Sequence, residues 1–440
     1  MARFGTQVSW LFFLATCLQV TFLHPYVVLI PGERANVFSG VLCFVSLMLA
    51  LIFQGIHLNR WKSPEVAISL LLAGLVLLSG LASSTPASSS ARGFVLLSSG
   101  LGGFWCARLL LADESRRRAF LWLSFCSLWV VLVLAVSGIV WKGKIFHFVD
   151  VHWHPVAGRV LLLSFAPLFL TVSRSRFASA LGWTTLGVGY GVLLLAGRYH
   201  GLESAVVVPP LCCLVAAVLM KWSRRQFLVL SALVAITFAA MGHHLSTHTI
   251  NFAKDHISVA YRVENLPFSW RIAQEHPLLG AGLWAPRERY LEGYEVRYPH
   301  LTPERFAQWA MEYRTAENTF VTFLADLGVP FVLLYSFALF GLMWRLVSHT
   351  VRGAPEDARH CLSLLLPVIA CFLHLQVYEG LFQPQISWFF HLLLGLAPTS
   401  SLSRHKHPSL WGDVLAKLFV LMVAGGVGSA GGVLLARAMQ

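Results

Sequence analysis

The chain has 440 residues, of which 57% are hydrophobic and 12% charged, with a formal net charge of +13. A soluble chain of that length would fold into two or three domains with polar surfaces, and this composition excludes one; it is that of a polytopic membrane protein. The positive charge does not point to nucleic acid, because the basic residues fall in short groups between apolar runs and form no patch.

A hydrocarbon core about 30 Å thick needs roughly 20 apolar residues per helix, and about twelve runs meet that requirement. They lie at about 8–30, 36–56, 66–82, 93–111, 119–141, 156–172, 177–196, 204–220, 226–242, 318–343, 361–378 and 386–397, with a further candidate at 412–436. No A-x-A cleavage site follows the first run, so it reads as a retained helix. The Ser-rich connection 83–90 reads as short and flexible, with Pro86 breaking any helix. The eight cysteines all fall in these runs with no C-x-x-C or metal spacing, and no disulfide is expected. The expected fold class is all-α: a polytopic bundle of about twelve transmembrane helices carrying one large helical loop. It divides into N-terminal spans over 1–242, the loop over 243–317 and C-terminal spans over 318–440.

Alternate connections collect the basic residues. Arg3, Arg60, Lys62, Arg116 to Arg118, Arg174, Arg176, Lys221, Arg224, Arg225, Arg345, Arg352, Arg359, Arg404 and Lys406 fall on one side. The short connections on the other side hold only Arg34, Arg92, Lys142, Lys144 and Arg198. The positive-inside rule makes the first side cytoplasmic, which puts 243–317 outside; long translocated segments escape the rule, so that loop's own basic residues do not oppose the assignment.

Arg198 lies in Gly197-Arg-Tyr-His-Gly201, a short outward connection between two spans. An arginine so near hydrocarbon is costly unless it is paired or faces water, which marks it as a candidate site residue; snorkelling to headgroups is the plainer alternative. In the large loop, Asp255 is placed to cap a helix that runs to about Gln274 and ends near His276-Pro277, with Gly280-Ala-Gly282 as a turn. Thr302 and Pro303 suit the start of a second helix, with Phe306, Trp309, Ala310 and Tyr313 on one face. Tyr290, Tyr294 and Tyr298 recur at every fourth residue and would form a stripe able to stack on sugar rings or simply pack. The histidines at 147, 152 and 154, with Asp150, and at 243, 244, 248 and 256 offer ligand chemistry without a diagnostic spacing, and no metal is assigned to them.

The loop ends on an acid. In Thr315-Ala-Glu-Asn-Thr-Phe-Val-Thr-Phe-Leu-Ala-Asp-Leu-Gly-Val-Pro330, Glu317 stands where polar sequence gives way to a span, and Gly328 and Pro330 predict a kink about two turns in. This stretch resembles a motif of the O-antigen ligase and polymerase superfamily, roughly His-Asn-x-aromatic-Leu-x-x-Leu-Ala-acid-Leu-Gly-x-Pro-Gly. Glu317, Asn318, Phe320, Leu324, Ala325, Asp326, Leu327, Gly328 and Pro330 fall in register with it, while Glu317 replaces the usual histidine and Phe331 the last glycine. The segment His276-Pro-Leu-Leu-Gly-Ala-Gly282 with Arg262 upstream resembles a second element, in which Leu266 replaces a tryptophan. Arg271 lies about half a helical revolution away from Arg262 and so would face elsewhere. Arg198 resembles the arginine of a third, Ser-Arg-Gly-Ala element, here altered to Arg-Tyr-His-Gly.

The resemblance implies a glycosyltransferase bundle of the GT-C type in a bacterial inner membrane, with the large loop in the periplasm. It implies inverting transfer of a glycan from undecaprenyl diphosphate to lipid A-core, or, for a polymerase, to another lipid-linked repeat. Arg198 and Arg262 would grip the diphosphate, since a guanidinium fork matches phosphate oxygens and keeps its charge. Glu317 would deprotonate the acceptor, with His200, Asn318, His276, Tyr290 and Tyr294 lining the substrates. No cofactor or metal is called for, and no nucleic acid. A transporter or flippase for lipid-linked sugars is the rival class; it would place ionisable residues near the midplane, where only Arg159 and His374 come close, both near span ends.

Overall fold

Inside hydrocarbon each segment has to satisfy its own backbone N–H and C=O groups, so long apolar runs become helices. The structure, a computed structural model, describes residues 2–20, 32–54, 63–140, 144–145, 149–150, 153–171, 173, 175–200, 203–219, 269–284, 318–376 and 380–398. The helices among them are α1 (Ala2–Leu18), α2 (Gly32–Gln54), α3 (Pro64–Ala82), α4 (Pro86–Leu110), α5 (Glu114–Val140), α6 (Trp153–Leu163), α7 (Phe165–Thr171), α8 (Arg176–His200), α9 (Glu203–Leu219), α10 (Thr319–Arg352), α11 (Pro355–His374) and α12 (Pro384–Gly395). A two-residue hairpin, β1 (Lys144–Ile145) with β2 (Val149–Asp150), joins α5 to α6. Seven of the described helices, α2 to α5, α8, α10 and α11, are long and apolar enough to cross a membrane. Their outward faces are apolar, with Leu70, Leu77, Leu81, Trp183, Leu333 and Phe337 exposed. Water would penalise such a surface and lipid does not.

The expected spans at 226–242 and 412–436 lie outside the described residues. The first run is helical from Ala2, and the 156–172 run is divided at Ser164 into α6 and α7. Pro167 stands in the first turn of α7, where its missing N–H costs nothing, so the helix restarts there. The reading of 83–90 as a flexible connection is corrected. Pro86 is the first residue of α4, a position where its fixed φ and absent donor are tolerated, and only residues 83–85 separate α3 from α4.

α4 is the most buried of the seven candidate spans and packs against α2, α3 and α12. Small residues allow that approach. A Cβ at Gly103 would run into the Trp388 carbonyl oxygen, and one at Gly395 into that of Phe104, so α4 and α12 touch backbone to backbone. Beside this contact Phe13 lies 6.0 Å from both Phe120 and Trp388, and Phe120 stacks on Phe165 at 5.6 Å. All eight cysteines lie in helices as free thiols.

The bundle has two chemically different ends. At one, Glu65 at the start of α3 meets Arg108 near the end of α4 at 3.2 Å and Arg345 late in α10 at 2.5 Å. Arg117 and Arg118 pair with Glu114 at the start of α5, which lies next in the chain. At the other end lie the end of α3, the start of α4 and the start of α10, and there the family-like segments meet.

Candidate functional site

The entry to α10 is set by Asn318. Its Oδ1 accepts from the N–H groups of Phe320 and Val321, both at 3.1 Å, which satisfies two of the donors that a helix N-terminus leaves open. Its Nδ2 donates to the Gln376 carbonyl at 2.8 Å, and the Thr319 N–H donates to the Leu375 carbonyl at 3.1 Å. Asn318 is buried, and it ties the point where the loop becomes a span to the end of α11.

Two turns later α10 breaks at Gly328, whose φ of 83° and ψ of 173° belong to a region that only glycine enters readily. The kink predicted from Gly328 and Pro330 is therefore present. The hydrogen bonds freed by the break can be followed one by one. Val329 N–H would normally donate to Ala325, but donates to the Pro277 carbonyl at 2.8 Å instead. The Ala325 carbonyl then takes the Ala281 N–H at 2.9 Å. Pro330 has no N–H to offer Asp326, and the Asp326 carbonyl accepts from Gly282 N–H at 3.0 Å and Ser79 Oγ at 2.9 Å. A break that would be costly in hydrocarbon is thus repaired by the segment 277–282.

That repair needs glycine on both sides. Residues 269–275 are helical, and the chain turns at His276-Pro277 through Gly280 (φ 68°) and Gly282 (φ 94°), as the sequence predicts. A Cβ at Gly280 would strike the Asp326 carbonyl, one at Gly282 the Ser83 hydroxyl, and one at Gly328 would lie 2.5 Å from the Leu278 oxygen. The polar run at the start of α4 joins in, because Ser89 Oγ accepts from Leu283 N–H at 2.8 Å. The small and hydroxylated residues at 79–93 thus serve as packing and docking groups for the loop.

Next comes a pair that the sequence reading passed over. Trp284 has a positive φ of 56°, its backbone N–H donates to the buried Asp326 carboxylate at 3.2 Å, and the Arg92 guanidinium lies 3.1 Å from its ring centroid. The available signal was Arg92 itself, an outward cation read only as part of a connection; it belongs to α4, two turns in.

His276 is half-buried where the helical segment ends, its N–H bonded to the Ile272 carbonyl at 2.9 Å. Arg271 is exposed and pairs with Glu275 at 3.4 Å, one turn along. Arg198 and His200 occupy the last turn of α8, where only the backbone is described. Arg262, Tyr290, Tyr294 and Glu317 lie outside the described residues, as do the 255–268 part of the first loop helix and the helix expected from Thr302.

Arg159 and His374 are wholly buried at the same end of the bundle. Arg159 Nε donates to the Pro155 carbonyl at 3.0 Å, and the neighbouring Gly158 brings α6 against Ile386 and His374. A buried guanidinium in a membrane bundle is expensive and marks a candidate functional corner. Among the described residues, no three His, Cys, Asp or Glu side chains group as a metal site would. The side chains at 147, 150, 152 and 154 and at 243, 244, 248 and 256 lie outside that set.

Long apolar helices and a backbone break repaired by a returning loop define a membrane-embedded helical bundle, and the family match that follows makes it one of the glycan-handling kind. Residues 159–336 match the family model for O-antigen ligase, and the chain contains a domain of that family. The matched stretch opens at the buried Arg159 and closes just past Tyr335, so it includes the 277–284 segment and the kinked half of α10. A search of the curated proteins finds no match to the chain.

Proposed function

We propose that the protein transfers a glycan from undecaprenyl diphosphate to an acceptor hydroxyl at the outer face of the cytoplasmic membrane, most simply as an O-antigen ligase acting on lipid A-core. The observation that carries this reading is the join between the two family-like segments. The stretch that follows Arg262 supplies the hydrogen bonds missing from the helix that follows Glu317. A diphosphate-gripping arginine and a base contributed by two distant parts of the chain need such a join.

In this mechanism the acceptor hydroxyl oxygen attacks the anomeric carbon as the bond from that carbon to the diphosphate oxygen breaks. The bonding pair leaves with the diphosphate, the proton passes to Glu317, and the configuration inverts. Arg198 and Arg262 stabilise charge growing on the leaving group, the kind of electrostatic term that is usually largest in catalysis. The bundle is of the GT-C type and the loop 243–317 faces the periplasm. A polymerase would use the same donor and base with a second lipid-linked repeat as acceptor.

The test is incubation of purified protein with lipid-linked oligosaccharide and either lipid A-core or a second lipid-linked repeat. Free undecaprenyl diphosphate should appear together with a glycosylated acceptor, and the acceptor consumed separates ligase from polymerase. Movement of the donor between leaflets with no diphosphate released would support the transporter class instead.

A further inference from the structure

Between α3, α4 and α10 lies a cavity of about 290 Å³ that the transfer chemistry does not use. Its walls are apolar, with Leu72, Leu96, Leu101 and Phe331 among them. Phe337 and Gly341 on its margin are exposed, so it opens sideways to the hydrocarbon. Its inner end is closed by Tyr335, whose hydroxyl is bonded to His391 Nε2 at 3.0 Å, while His391 Nδ1 bonds to the Ser387 carbonyl at 2.7 Å. With those polar atoms already engaged, water in the cavity would find few partners, and a hydrocarbon chain suits it better.

The other end is charged. Glu65 and Arg345 line the cavity there, and Arg108 shares the Glu65 Oε1 that Arg345 contacts. Two guanidinium groups against one carboxylate leave one positive charge in excess. Arg345 exposes 36% of its side chain at this mouth, and a guanidinium carries five donors, of which the contact with Glu65 uses one.

From this geometry we infer a binding site for an anionic phospholipid, with one acyl chain in the cavity and the phosphate on Arg345. Basic pockets between transmembrane helices at the cytoplasmic face recognise such headgroups. The occupant is a phospholipid and not the polyprenyl tail of a donor because of where the charge sits. The cavity's charged mouth is at the Glu65 end of the bundle, away from the end where the 277–284 segment meets α10. A donor with its diphosphate at that outer end would bring only hydrocarbon to Arg345. A lipid of the opposite leaflet brings its phosphate to that level. The inference uses the orientation proposed above and not the transfer chemistry, and binding is measured without turnover, so either can fail alone.

The test is native mass spectrometry of the full chain in detergent, titrated with phosphatidylglycerol and with phosphatidylcholine. Wild type should favour phosphatidylglycerol, and Arg345→Gln should reduce that preference about fivefold, the worth of one basic side chain near an anionic headgroup. Arg345→Lys should keep most of it. A Cβ at Gly341 would have no neighbour within 4 Å, so Gly341→Phe can fill the cavity and should lower binding of both lipids. Gly187→Phe is equally open, lies on α8 away from the cavity, and should change nothing. Should Gly341→Phe not fold, the Arg345 series decides alone. Unchanged preference in Arg345→Gln would overturn the inference, showing only unspecific lipid around the bundle. So would a titrated polyprenyl phosphate that binds in place of phosphatidylglycerol and is insensitive to Arg345.

Discussion

Glu317 stands immediately before the Asn318 cap, at the position where the motif it resembles has histidine. Both side chains can accept a proton, so the roles ascribed to this position are compatible. Glu317→Gln keeps the shape and removes the base, and should slow turnover by about 10²- to 10⁴-fold. Glu317→His should retain activity. Wild-type turnover in Glu317→Gln, measured with lipid-linked donor, would make Glu317 a structural partner of an arginine. Arg198→Ala and Arg262→Ala should each leave folded protein that is slower by about 10²- to 10³-fold, as loss of a pre-organised donor to a developing anion usually is. Lysine at either position keeps the charge but loses the fork, and should restore only part of the rate. On the proposed mechanism these arginines supply the positive charge, and turnover is then expected to continue in excess chelator. Loss with EDTA and recovery with added metal would instead centre the mechanism on the histidine-rich loops around 147–154 and 243–256.

Among the elements, α10 carries the most specific prediction. Gly328→Ala forces a side chain into a backbone region open mainly to glycine, at about 1–3 kcal/mol, and drives its Cβ towards the Leu278 oxygen. It should lower the thermal unfolding midpoint in detergent and release the 277–284 segment, with activity lost alongside. Gly341→Ala lies in the same helix with open space around it and should be neutral or stabilising, since glycine inside a helix costs about 0.5–1 kcal/mol relative to alanine. Equal effects from the two substitutions would mean that the break in α10 is not what holds the loop.

For the whole molecule, the prediction concerns sidedness. The bundle separates an end where Glu65, Arg108 and Arg345 pair from an end where the loop joins α10. Cysteine introduced at Glu292 should be labelled by an impermeant thiol reagent from the periplasmic side, and cysteine at Ser115, beside Arg116 to Arg118, only after the membrane is opened. Labelling of both from one side would invert or discard the topology.

By itself the sequence determined what depends on neighbours along the chain. Hydropathy over about 20 residues marks a span, so α3, α5, α8 and α9 begin and end within a few residues of where their apolar runs do. Gly328 with Pro330 announced the kink, and Gly280 with Gly282 the turn, because backbone conformation is a local property. Only the tertiary structure decided what those irregularities are for. The carbonyls of Ala325 and Asp326 need donors that their own helix cannot provide, and the donors come from residues more than forty positions earlier. No periodicity encodes such a pairing. The start of α4 was misread for the same reason: serines and a proline look like a connection until Ser89 is seen to accept the Leu283 N–H, and Arg92 to stack on Trp284. Charge counting gave Arg345 a side of the membrane, but its meeting with Glu65 and Arg108 at the mouth of a cavity required three helices to be brought together.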